Sequence, residues 1–185
     1  SPIHRIDRDT AGLVLLSTQR SDRGAYQALF REQRVHKTYQ AIAPYQPELG
    51  FPREHHSRMQ ESGHFIRMQE VAGPPNSHTR LTLLEHNTHW ARYQLEPISG
   101  KRHQLRVHMA ALGIGILGDG LYPEVNDAPE GDFSRPLRLL AQAIAFTDPL
   151  AQQQRHFHSQ YTLGALPPEP APSGQQTRQG LPANA

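Results

Sequence analysis

The chain has 185 residues, 36% of them hydrophobic, with 19 Lys and Arg against 17 Asp and Glu and a net charge of +2. That length accommodates one domain with a sizeable core. Cys is absent, which excludes disulfides and thiolate metal sites, and no apolar run approaches the roughly 20 residues needed to cross a bilayer.

The first segment to carry chemistry is His4-Arg5-Ile6-Asp7-Arg8-Asp9-Thr10-Ala11-Gly12-Leu13, which runs into the apolar, strand-type stretch Val14-Leu15-Leu16-Ser17. A polar, glycine-containing loop feeding a strand is where reactive groups are usually placed. Asp7 stands between two arginines, and a carboxylate near guanidinium groups stays ionised and well aimed. The sequence begins only three residues before this motif. The expectation is that part of the catalytic domain precedes residue 1.

Further along, Ser21 is a candidate cap for a helix running to about Gln33, with Tyr26, Leu29, Phe30 and Val35 giving a partial apolar stripe. Lys37 to Ala43 reads as a strand rich in β-formers. Pro44, Pro47, Gly50, Pro52 and Gly63 mark residues 44–63 as a loop or variable excursion. A short strand is predicted over 64–71, then a turn at Gly73-Pro74-Pro75-Asn76. Residues 79–84 and 89–95 read as two strands joined through 85–88. His103 to Leu112 reads as a helix stopped by Gly113. A Gly-rich loop follows over 114–122, and Leu137 to Phe146 reads as a buried strand. From residue 164 the chain is Pro-, Gln-, Gly- and Ala-rich, which predicts a disordered tail over 164–185 after a domain spanning 1–163. Mixed strands with two helices and no regular βαβ alternation indicate an α+β fold with a mixed, largely antiparallel sheet flanked by helices.

Three other segments hold candidate functional residues. Gly100-Lys101-Arg102-His103-Gln104-Leu105-Arg106-Val107-His108 opens the second helix, and Gly118-Asp119-Gly120-Leu121-Tyr122 follows it. Read from the residues alone, Arg106 is either a rigid bidentate partner for a carboxylate or part of a basic helix face that touches phosphates. In Lys37-Thr38-Tyr39, a strand tyrosine ordinarily packs in the core. Leu137-Arg138-Leu139-Leu140-Ala141 reads simply as a buried strand. The 12 histidines show no metal-binding spacing. His55 and His56 are adjacent in a polar loop, His103 and His108 are five apart, and His-Glu-x-x-His is missing. No metal site is expected.

Taken together, these segments resemble the RluA-like pseudouridine synthases over roughly residues 4–149. Residues 4–13 are similar to that family's catalytic-aspartate motif, His-Arg-Leu-Asp followed by Thr-Ser-Gly-Leu. Here Ile6 stands for Leu and Ala11 for Ser. Residues 100–108 are similar to Gly-Arg-Thr-His-Gln-Leu-Arg-Val-His, followed by Gly-Asp-x-x-Tyr. The sequence departs from the pattern at Lys101-Arg102 and at Ile114-Gly115.

The resemblance implies a pseudouridine synthase fold and an isomerase that converts uridine to pseudouridine in rRNA or tRNA. It makes Asp7 the catalytic aspartate, Arg106 the arginine paired with it, and Tyr39 the residue that stacks on the target base. It places Arg5, Lys37, Arg102, His103, Gln104 and Leu139 in substrate binding. Arg5 would fill the space left by a flipped base, and Leu139 would lie beneath that base. The reaction needs no electron sink, so no cofactor is implied.

A sequence pI of about 9.2 suits an RNA partner. With no membrane segment, and no basic-then-apolar leader visible, a cytoplasmic monomer is expected. Two other readings remain: an RNA-binding module that has lost catalysis, and a glycoside hydrolase using Asp7 and Asp9 as paired carboxylates.

Overall fold

The computed structural model describes residues 1–63, 66–125 and 134–169. Its elements, in chain order, are β1 (Ala11–Gly12), α1 (Arg23–Arg31), β2 (Val35–Pro44), β3 (Arg53–Glu61), β4 (Met68–Val71), β5 (Ser77–His86), β6 (Trp90–Pro97), α2 (Gln104–Ala111), β7 (Leu139–Thr147) and β8 (Gln154–His158). They form a single sheet in the order β1-β7-β2-β6-β5-β3-β4, and β8 also pairs with β7. Every pairing is antiparallel except β1 with β7. The expected α+β class with a largely antiparallel sheet is what forms.

Alternation along the strands sorts the core into two faces. On one face Ala41, Ala43, Leu81, Tyr93, Leu95 and Leu139 bury against Leu105 and Met109 of α2. On the other, Ile42 and Leu140 pack with Trp90, Leu117, Leu163 and Leu166. A third cluster joins Leu29 of α1 to Val35, Ile144 and Phe146.

One irregularity lets β7 pack against both helices on one face. The β2–β7 register slips between Thr38 and Tyr39, whose partners are Ala143 and Ala141, so Gln142 is an extra residue on β7. Without that bulge, Leu139 and Ile144 would point to opposite sides. With it, α1 and α2 lie side by side on one face, and the sheet between them carries Lys37, Tyr39 and Leu139.

The structure corrects several sequence-based elements. The excursion expected over 44–63 contains a nine-residue strand, β3. Its polar sequence, Arg-Glu-His-His-Ser-Arg-Met-Gln-Glu, lacks β-formers and is held by backbone pairing to β5 and β4. The expected strand over 14–17 reduces to Ala11–Gly12 and a bridge between Pro2 and Leu16, with Val14 and Leu16 exposed. The first helix is shorter than predicted, and its N-cap is Asp22. The tail expected from residue 164 starts with a docked stretch. Gly164 and Pro167 carbonyls accept hydrogen bonds from Arg92 and Asn87, and the Glu169 carboxylate accepts one from the Thr88 N–H. The rest of that tail, 170–185, lies outside the described residues, as do residues 64 and 65 of the fourth strand's expected range. Among the described residues no helix is long and apolar enough to cross a membrane.

Candidate active site

The segment carrying Asp7 is pinned at both ends. At its start, His4 Nε2 accepts the Leu15 N–H at 3.0 Å, and the ring stacks on Phe30 with centroids 4.5 Å apart. That acceptance puts the ring proton on Nδ1, which donates to the Arg5 carbonyl at 3.1 Å. His4 is therefore neutral, and burial holds its pKa below the usual imidazole value. At the other end, β1 pairs with β7 and the Leu13 N–H donates to the Ala141 carbonyl at 3.1 Å. Gly12 has φ +105°, and a Cβ there would sit 2.3 Å from the Ala141 oxygen. Only glycine allows this approach. Between the pins the chain turns, with the Thr10 N–H bonded to the Asp7 carbonyl at 3.0 Å.

Asp7 is thereby set at a cavity of about 320 Å³ lying between the two helices. Its floor is Tyr39, Leu105 and Leu139, while Phe30, Ser99 and Gly100 contribute to the walls. Arg5, Arg31, Lys37, Lys101 and His103 also line it, and Asp7 is the sole acidic residue among the lining side chains. A cavity floored by apolar groups, holding one carboxylate and ringed with cations, suits an anionic ligand that inserts a planar group.

Lys37 donates to the Ser99 carbonyl at 3.3 Å, and burial lowers its pKa to about 8. Tyr39 is driven the other way. Burial, with the negative charge of Asp7 adding to it, pushes its hydroxyl up to about 12. The phenol therefore stays protonated through the neutral range.

Gln104 is 4% exposed and fully engaged. Its Nε2 donates to the His78 carbonyl and to Thr79 Oγ1, and its Oε1 accepts from Ser99 Oγ and from the Lys101 N–H. Its amide folds the 99–101 loop that forms one wall. His103 sits at the N-cap of α2 with φ 54°, and its Nδ1 lies 2.9 Å from the Tyr122 hydroxyl. Burial lowers its pKa, with Asp7 opposing and Arg106 and Arg102 assisting.

Two expectations are corrected. Arg106 does not grip Asp7. Its Nε and Nη2 donate to the two oxygens of Asp119 at 2.8 and 2.6 Å, a bidentate pair that is almost wholly buried. Asp119 Oδ1 also accepts the N–H groups of Leu121 and Tyr122. Arg106 thus holds the 119–122 loop, and through the Tyr122 hydroxyl it fixes His103; Asp7 reaches it only through space. Arg102 is not brought to the cavity. It donates to the Ile66 carbonyl at 2.9 Å and lies 4.0 Å from Glu61, reaching toward the β3–β4 connection. Asp9 is exposed and does not line the cavity, so the paired carboxylates of a glycoside hydrolase are not assembled.

Sequence reasoning missed the structural work of His4, Phe30 and Asp119. His4 and Asp119 stood in the quoted motifs, but their partners are distant in sequence. Phe30 carried only a helix-stripe signal.

The RNA pseudouridylate synthase family model matches residues 1–111. This chain belongs to the RluA-type family of RNA pseudouridine synthases. It is 32% identical over 164 residues to the dual-specificity RNA pseudouridine synthase RluA of Pasteurella multocida, covering 84% of this chain and 71% of that one. It is 31% identical over 159 residues to the ribosomal large subunit pseudouridine synthase C of Vibrio cholerae, covering 85% of this chain and 50% of the relative. A bovine mitochondrial pseudouridylate synthase, RPUSD4, is 31% identical over 90% of this chain and 49% of its own length. The chain spans about half the length of these last two curated relatives. Among solved structures, human RNA pseudouridylate synthase domain containing 1 superposes with a TM-score of 0.71 at 24% identity, covering 85% of this chain and 67% of that one. That likeness establishes the pseudouridine synthase fold.

Proposed function

We propose that this protein isomerises uridine to pseudouridine in a structured RNA, ribosomal or transfer, with Asp7 as the catalytic carboxylate. The observation that carries the reading is the placement of Asp7 as the one acid in a cation-lined cavity floored by Tyr39 and Leu139. The target uridine leaves its stack to reach that depth. Its base lies on Leu139 and stacks against Tyr39. Arg5, exposed at the rim, occupies the space it vacated. Lys37, Lys101 and Arg31 neutralise the flanking phosphates.

In the reaction the N1–C1′ glycosidic bond breaks, the detached uracil turns, and a C5–C1′ bond forms; a base takes the proton from C5 and N1 takes one up, so the product is an isomer of the substrate. Asp7 supplies the negative charge, either as a nucleophile or as the base that acts on a sugar intermediate. The Tyr39 hydroxyl, kept protonated by its raised pKa, hydrogen-bonds to the base while the base is free to rotate. Arg106 is a positioning residue: with Asp119 it fixes the loop that holds His103, and it does not touch the reacting atoms.

Pseudouridine mapping by mass spectrometry tests this, using total RNA from cells with and without the full-length gene. The expected result is a pseudouridine lost on deletion, restored by the wild-type gene and not by Asp7→Asn. An unchanged map, or full rescue by Asp7→Asn, overturns the proposal.

A further inference from the structure

The register of the β3–β5 pair gathers side chains that are scattered in the sequence. His55 faces Thr79 and Ser57 faces Ser77 across the pair, and all four lie on the α2 side of the sheet. β4 adds Glu70 on that side, opposite Met59. From above, α2 lowers His108, whose side chain is fully buried.

The resulting cluster is compact. His55 Nε2 is 2.8 Å from Glu70 Oε1, and His108 Nε2 is 3.9 Å from the same oxygen. One ligand atom from each of the three residues lies within 4.8 Å of the other two. The His55 and His108 rings stand edge to face at 4.6 Å.

We propose that His55, Glu70 and His108 form a binding site for a divalent transition-metal ion of the zinc type. Two imidazole nitrogens and a carboxylate oxygen are a donor set that zinc accepts. A tetrahedral ion with bonds of about 2.0–2.2 Å needs its ligand atoms roughly 3.3 Å apart. The two separations to Glu70 Oε1, 2.8 and 3.9 Å, straddle that value.

The surroundings are also those of a metal site. Metal at His108 Nε2 requires the ring proton on Nδ1, and Thr79 Oγ1 lies 2.9 Å from that nitrogen to accept it. The Ser57 and Ser77 hydroxyls lie 3.1 and 3.0 Å from Nε2; Ser77 donates to the Ser57 carbonyl, so Ser57 donates to Nε2 and must turn its hydrogen away when an ion takes that lone pair. The site is partly open, since the Glu70 and His55 side chains keep 25% and 17% of their exposure.

The reverse face of the same strands holds Glu54, His56 and His78, but that group is less suited. Glu54 Oε1 already accepts Arg80 Nε at 2.8 Å, and the guanidinium charge opposes a second cation. The ion at the proposed site would tie β3 and β4 to α2, the helix that presents His103 and Gln104 to the cavity. It lies outside that cavity, so its role is to brace the helix.

The test uses the purified full-length protein, freed of metal with a chelator. Co²⁺ binding is followed by visible absorption and Zn²⁺ binding by calorimetry. His55→Ala and Glu70→Gln are the diagnostic variants, because both side chains are partly exposed. His56→Ala is the control on the opposite face. The expected result is a single saturable equivalent, weakened at least about tenfold by each diagnostic variant and unchanged in the control. A zinc-dependent rise in melting temperature should vanish in the same two variants. No saturable binding, binding that both diagnostic variants retain, or loss confined to His56→Ala overturns the proposal. RNA isomerisation is read separately, so failure here leaves the proposed reaction standing.

Discussion

Asp119→Asn separates the pairing observed here from the Asp7–Arg106 pairing that the family resemblance implies. Arg106 is 2% exposed, and both of its ionic hydrogen bonds go to Asp119. Asparagine keeps one oxygen for the Leu121 and Tyr122 N–H groups. Its amide NH₂ then faces the Arg106 Nε–H, donor against donor, and the buried guanidinium loses its counter-charge. Breaking a buried pair in this way costs about 3–5 kcal/mol. For a chain of this size that lowers the melting temperature by on the order of 10 °C. Asp7 receives no hydrogen bond from Arg106, so Asp7→Asn should alter stability by less than about 0.5 kcal/mol. Replacing the pair together, as Arg106→Met with Asp119→Asn, removes the uncompensated charge and should recover part of the loss. Thermal and urea melts of the four proteins decide the matter. If Asp119→Asn melts with wild type, or Asp7→Asn shows the larger fall, the assignment of the pair is wrong.

Tyr39→Phe keeps a ring worth roughly 1–3 kcal/mol of base stacking and removes the donor hydroxyl, so single-turnover rates should fall while RNA affinity holds; an unchanged rate removes the hydroxyl from the chemistry. Gly12→Ala should cost about 3 kcal/mol, because the new methyl meets the Ala141 carbonyl, and a melt equal to wild type would refute the close approach. Lys37 is cationic below its lowered pKa of about 8 and neutral above it, so RNA affinity should weaken as pH rises through 8. Lys37→Arg stays charged throughout and should abolish that dependence in filter-binding titrations. Because the folded pKa lies below the unfolded value of 10.5, the cost of burying the Lys37 charge is present below pH 8. It is relieved as pH rises toward 10.5.

What the sequence made legible is the part that is local. Asp7, Lys37, Tyr39, His103, Gln104 and Leu139 all stand in short motifs, and the fold brings them to one cavity. The α+β class followed from strand-type runs rich in β-formers. What stayed hidden depends on distant pairing. β3 has polar residues on both faces and becomes a strand only because β5 and β4 flank it. The bulge at Gln142 sets which face Ile144 and Phe146 take, yet no turn residue announces it. Arg106 chose Asp119, 13 residues away, because both are buried under the same loop. Spacing says nothing about burial. His55, Glu70 and His108 come from three elements, so no linear pattern joins them.

The central claim is that Asp7 performs the isomerisation, and tritium release tests it most directly. Single-turnover reactions with RNA labelled with tritium at uridine C5 should release label to water with the wild-type full-length protein. Asp7→Asn, nearly isosteric but unable to act as an anion, should release none while binding the same RNA within a few-fold of wild type. Release by Asp7→Asn at a rate comparable to wild type would contradict the account.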